Sequence, residues 1–134
     1  MSGTTKAQRF ASTVQQIESQ KDPGALVTLF AEDATLESPA REQVLRGKKG
    51  AEVFWSEYLN AFQEIQSTFT QIKDYGEYAV LEWEGNGKLP TSRPIKYRGV
   101  SIVEFKGEKA ARFVTYYDSA AFLNEGSKHT AQVA

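Results

Sequence analysis

The chain has no cysteine and a single histidine, His129, among its 134 residues. Without cysteine there can be no disulfides, thiol nucleophiles or thiolate metal sites. One histidine, in the polar stretch "GSKHTAQVA", cannot build a His-rich metal site, so neither a metal nor a cofactor is expected. An excess of one charge is also missing: sixteen basic residues face seventeen acidic ones, a formal net charge of −1. No global field therefore draws the chain to nucleic acid or to an anionic membrane. No apolar run approaches a membrane span, and the opening "MSGTTKAQRF" lacks an apolar signal region. The expectation is a soluble cytoplasmic protein with no nucleic-acid or membrane partner. What is present is enough for one substantial core, with 40% hydrophobic and 12% aromatic residues. A single domain over 1–134 is expected, with disordered or extended ends at about 1–4 and 125–134.

Helical spacing comes first along the chain. Phe10, Val14 and Ile17 mark an amphipathic helix over 5–20. In "KDPGALVTLF", Asp22 reads as an N-cap and Pro23 as the first helical residue, with Leu26, Leu29 and Phe30 as the apolar face. "EDATLES" reads as a short strand ending before Pro39, and "AREQVLRG" (40–47) as a loop. In a third helix, Ala51, Phe54, Trp55, Tyr58, Leu59 and Phe62 fall on one face. Strand patterns follow: "IQSTFTQI", a turn around Tyr75 and Gly76, then "EYAVLEWE" bounded by a hairpin signal "GNG" at 85–87. Pro90 and Pro94 keep 88–94 irregular, "IKYRGVSIVEF" and "AARFVTYYD" are strands, and "KGEK" is the tight turn between them. Helices followed by a run of antiparallel strands give an α+β class, with three N-terminal helices packed on a curved sheet.

The phrases "LVTLFAEDATLESP", "LRGKKGAEVFWSEYLNAF" and "GVSIVEFKGEKAARFVTYYDSAAF" resemble the second helix and first strand, the third helix, and the closing hairpin of the nuclear transport factor 2-like superfamily. Its members include ketosteroid isomerases, limonene epoxide hydrolase and SnoaL-type polyketide cyclases. The resemblance spans residues 10–123. It implies a cystatin-like cone holding a small hydrophobic molecule in its mouth, and a homodimer through the outer sheet face. It does not imply one activity, because the fold hosts enzymes, binding modules and transport proteins.

Two known chemistries fail residue by residue. By the isomerase resemblance the catalytic base position is Ser38, the oxyanion tyrosine position is Val14 and the protonated aspartate position is Ser101. Valine carries no proton to give, and a serine hydroxyl is too weak a base at neutral pH. The epoxide hydrolase's catalytic aspartate position is Thr115, and "EYAVLEWEG" lacks the arginine of its Arg–Asp pair. A cofactor-independent isomerase or SnoaL-like cyclase has a looser requirement, an apolar pocket with one placed carboxylic acid. The isomerase match turns Val80, Glu82 and Glu84 inward and Leu81 and Trp83 outward, which makes Glu82 the candidate catalytic acid and Glu84 its neighbour. A slip of one residue would reverse that assignment, placing both glutamates at a wet rim or a dimer face.

Other residues are expected in the same pocket. Phe54, Trp55 and Tyr58 either overhang it or simply pack, with Phe30 beside them. Tyr97 makes either a structural hydrogen bond or a ligand contact. In "FVTYYDSAAF", period two and the isomerase resemblance together send Phe113, Thr115 and Tyr117 to the concave side, while Tyr116 and Asp118 hold the strand end. Lys48 and Lys49 oppose the dipole of the third helix, and Arg93, Lys96, Arg98 and Arg112 suit cross-strand pairing with acids such as Glu104. Three uses remain open: a small metal-free acid–base enzyme acting on a carbonyl compound by cyclisation or isomerisation, a non-catalytic binding module, or a dimeric interaction domain.

Overall fold

The structure, a computed structural model, describes residues 4–123, so His129 and nearly all of the two expected ragged ends lie outside it. Helix α1, Lys6–Gln20, starts on a capping box in which Thr5 and Gln8 each accept from the other's backbone N–H. Helix α2 is a single turn, Gly24–Val27. It is shorter than its composition suggests because the Leu29 carbonyl is taken by the N–H of Ala110, which commits the chain to the sheet. Asp22 still serves the start of the turn, accepting from the N–H of Gly24, but Pro23 sits before the helix and Phe30 belongs to the next strand.

The sheet is built from β1 (Phe30–Glu37), β2 (Leu45–Arg46), β3 (Glu64–Asp74), β4 (Tyr78–Lys88), β5 (Pro94–Lys106) and β6 (Lys109–Tyr117), with helix α3 (Gly47–Asn60) between β2 and β3. Their order is β2-β1-β6-β5-β4-β3, antiparallel except where β1 runs parallel to β6. Strand β2 lies inside the segment expected to be a loop; two residues carry no alternation to read, yet they pair with Thr35 and Leu36. The "GNG" segment is another correction, for it continues β4 and the reversal comes at 89–93, where Ser92 takes a φ of 71°. Glycine serves close packing there, because a Cβ on Gly85 would stand 2.8 Å from the Tyr97 ring.

The three helices lie on the concave side, and the deepest core joins α1, α3 and the sheet through Phe10, Phe30, Leu36, Trp55 and Phe113. A smaller cluster of Phe62, Ile65, Ile95 and Tyr97 fills the other end. Asp118 caps the closing 3-10 turn, Ser119–Phe122, which brings Phe122 against Phe62 and Tyr97. Among the described residues no helix is long and apolar enough to cross a membrane.

Candidate functional site

Between the helices and the concave sheet face lies a cavity of about 790 Å³. Its walls are largely aromatic, with Phe10, Phe54, Trp55, Phe62, Trp83 and Phe113 among them. This volume lies within the usual range for small-molecule pockets, roughly 300–1,000 Å³. The charged lining residues, Arg41, Glu42 and Glu57, are partly or fully exposed and so belong to the rim, where Arg41 and Glu57 pair. Deeper in, the polar groups are the hydroxyls of Tyr58, Ser67, Tyr97, Ser101, Thr115 and Tyr117 and the indole N–H groups of Trp83 and Trp55, the latter buried with no hydrogen-bond partner among the described residues.

Of the residues expected in the pocket, Val14, Ser38, Phe54, Trp55, Tyr58, Tyr97, Ser101, Phe113, Thr115 and Tyr117 line this cavity. Phe30 does not. It is fully buried in the core, edge-on to Phe10 and Phe113. The expected facing of β4 is reversed: Leu81 and Trp83 line the cavity, whereas Glu82 is exposed and Val80 and Glu84 lie on the outer face. Glu84 there lies 3.7 Å from Lys96 in a cross-strand ion pair. The physical cause is twofold. Two adjacent carboxylates facing an apolar cavity would lose their hydration without a partner, and Gly99, opposite Trp83 on β5, leaves the space the indole needs. Glu82 is therefore not an acid of this cavity.

Two polar clusters face the cavity. On the sheet side, the Trp83 indole N–H donates to Ser101 Oγ at 2.9 Å, and Ser101 and Thr115 share a hydrogen bond of 2.9 Å. The isomerase's protonated-aspartate position is thus occupied by a hydroxyl already held by an indole and a threonine. On the helix side stands a residue that the sequence reading passed over. Glu18 of α1 is only 4% exposed. Its Oε2 accepts from the Tyr58 hydroxyl at 2.6 Å and from Ser67 Oγ at 2.6 Å, and its Oε1 accepts from the Ser67 N–H at 2.7 Å. The signal was available: Phe10, Val14 and Glu18 are spaced by four, which places a carboxyl on the apolar face of α1.

Burial pushes the Glu18 carboxyl up from its ordinary 4.5, and the hydrogen bonds from Ser67 and Tyr58 offset part of that rise. Burial likewise holds the Tyr58 phenol well above 10.0, reinforced by the neighbouring Tyr97 and by Glu18. Tyr97 is raised in turn by burial and then by Glu18 and Tyr117. Both phenols stay protonated through the physiological range, as hydrogen-bond donors and not as bases. Among the described residues no three His, Cys, Asp or Glu side chains come together as a metal site would need.

A family model described as a SnoaL-like domain matches residues 7–113. No curated protein matches the chain. Solved structures do. An NTF2-like protein from Anabaena variabilis aligns with a TM-score of 0.76 at 20% identity, covering 92% of this chain and 98% of its own. A hypothetical protein from Catenulispora acidiphila with a ketosteroid isomerase-like fold, solved in complex with trimethylamine, aligns at 0.73 and 20% identity over 84% of this chain and 87% of its own. The epoxide hydrolase/cyclase-like enzyme SalBIII, which acts in pyran ring formation in the polyether salinomycin, aligns at 0.72 and 16% identity over 87% and 93%. At these identities the structures share the fold, and the match over most of the length shows that the chain belongs to the SnoaL-like domain family.

Proposed function

We propose that this protein holds an uncharged, largely apolar small molecule bearing an oxygen function, a carbonyl compound or a related alcohol, in the mouth of the cone. The observation that carries this reading is the composition of the cavity: aromatic walls, hydroxyls and an unpartnered Trp55 N–H in the depth, and charge only at the rim. A charged ligand would find no buried counter-ion among the described lining residues, whereas an oxygen atom would find Tyr97, Ser101 or Thr115. A metal-free isomerisation or cyclisation of that molecule is the reaction class we infer if the protein is an enzyme, although the described residues in the depth of the cavity offer hydrogen-bonding groups and no acid or base. The cyclase-like activity named for SalBIII supports it by analogy of fold alone.

The binding step is directly testable because both tryptophans of the chain, Trp55 and Trp83, line the cavity. Titration with hydrophobic ketones of about ten carbons is expected to shift or quench the intrinsic emission and to raise the thermal midpoint. Ligand at a hundred times Kd adds about 2.7 kcal/mol of stability. A panel of such ketones that leaves both emission and midpoint unmoved would count against a pocketed function.

We also infer that a second copy covers the outer sheet face. Val80 stands opposite Ile102 and Val100 opposite Tyr116 there, and Tyr116 is 50% exposed.

A further inference from the structure

The Glu18 carboxyl does not itself line the cavity, but two of the groups that give it hydrogen bonds do, Tyr58 and Ser67. Each is a hydroxyl with one proton to give. With Glu18 ionised, both protons are drawn back towards Oε2, and what these two side chains turn to the cavity is oxygen lone pairs. With Glu18 protonated, Oε2 carries a proton of its own and donates it to one of the two hydroxyls. That hydroxyl's proton is then free to point at a ligand. Oε1 goes on accepting from the Ser67 N–H in either state.

We propose that Glu18 sets the ligand specificity of this pocket by proton count: protonated, it lets Tyr58 or Ser67 donate to a carbonyl or ether oxygen; ionised, it restricts those two groups to accepting from a hydroxyl or N–H. Glu18 is thus a positioning residue, acting through Tyr58 and Ser67. No bond to carbon changes, and the proton that distinguishes the two states is exchanged with solvent. This inference rests on the pocket reading above and adds to it the chemical class of ligand preferred in each state.

The surroundings of Glu18 suit such a role. The described groups that act on its titration are Ser67 of β3 and Tyr58 of α3, with no charged side chain among them. The Tyr97 phenol of β5 feels the Glu18 charge and remains neutral. Burial favours the protonated form and moves the change of state upward from the ordinary 4.5, with the hydrogen bonds opposing it in part. A salt bridge to Glu18 would have fixed it as an anion; hydrogen bonds from neutral donors leave it able to take up a proton.

The test uses a matched pair of probes, 1-tetralone and 1-tetralol, bound to the full-length protein and followed by tryptophan emission between pH 4.5 and pH 8. The ketone only accepts, while the alcohol both donates and accepts. The ketone-over-alcohol preference is expected to fall about tenfold across the transition, the equivalent of one hydrogen bond of about 1.4 kcal/mol. Glu18→Gln carries an amide that donates to both hydroxyls at every pH, so it should hold the acid-state preference without any pH dependence. Tyr58→Phe combined with Ser67→Ala, a second variant in case the first fails to fold, removes both switching hydroxyls and should flatten the profile. A wild-type preference that does not change with pH, or a Glu18→Gln profile that tracks the wild type, would overturn the inference while leaving the pocket reading in place. If neither probe binds at any pH, both fall together.

Discussion

On the inner face of α1 the Glu18 carboxyl is buried, where a charge is costly unless it is hydrogen-bonded. Glu18 receives its three hydrogen bonds within 2.7 Å, and bonds to an ionised acceptor are worth about 1.5–3 kcal/mol each. Burial works against that gain, and it is the larger influence on the titration. The linkage sign follows. A carboxyl with a folded pKa above its unfolded 4.5 contributes most to stability below that value, and loses the contribution as pH rises through the folded pKa. Urea unfolding of wild type and Glu18→Gln, compared pH by pH, cancels the other carboxylates. The stability difference, wild type minus variant, is expected to decline between pH 4 and pH 8, by about 1.4 kcal/mol for each unit of displacement. A difference that grows with pH would mean that the hydrogen bonds outweigh burial. Glu18→Leu should be worse than Glu18→Gln at every pH, because it strands the buried Ser67 N–H at a cost of about 1–3 kcal/mol.

At the scale of the element, strand β4 shows how much of the site was legible and why the rest was not. Facing on β6 followed from alternation together with the isomerase resemblance, and Phe113, Thr115 and Tyr117 do line the cavity. Helix α3 was legible from its own helical spacing, since Phe54, Trp55 and Tyr58 share one face that leans over the pocket. On β4 the family resemblance and the local hydropathy disagreed. Leu81 and Trp83 alternate with Glu82 and Glu84, and hydration of the carboxylates decided the outcome. The space that admits Trp83 comes from another strand and has no trace within β4 itself. A Cβ on Gly99 would stand 2.7 Å from Cη2 of Trp83 and 2.5 Å from the Tyr116 carbonyl oxygen. Gly99→Ala is therefore expected to push the indole into the cavity, break its 2.9 Å bond to Ser101 and cost about 1–3 kcal/mol. The emission spectrum should move, and ligand affinity should fall by tenfold or more. An alanine variant with wild-type emission and affinity would show that the strand relaxes around the methyl. Glu18 was hidden differently: its spacing from Val14 was visible, but a lone acid on a helix face has no meaning until Tyr58 and Ser67 are known to meet it. Those partners lie 40 and 49 residues away.

For the molecule as a whole, the sheet divides labour between its faces. The concave side is closed by helices and holds the cavity, and the mixed chemistry of the convex side suits contact with another copy of the same surface. Val80, Val100 and Ile102 lie half-buried among Glu82, Lys96, Arg98 and Glu104, so apolar rows are flanked by charges of both signs. A two-fold partner can match such a surface row to row and charge to charge, whereas a stable interface requires about 1,200–2,000 Å² in total. Because each strand carries its pocket residues and its outer residues in alternation, a substitution on the outer face can be made without altering a lining side chain. Ile102→Asp places a charge opposite Val80 and is expected to convert a dimer into a monomer in sedimentation equilibrium at tens of micromolar. The ketone-induced change in tryptophan emission should survive that conversion, because Trp83 and Ser101 face the other way. A wild-type protein that sediments as a monomer at that concentration would remove the second copy from the outer face. If the variant is monomeric but has lost binding, the two faces are coupled through the sheet, and the pocket needs the assembled pair to hold its shape.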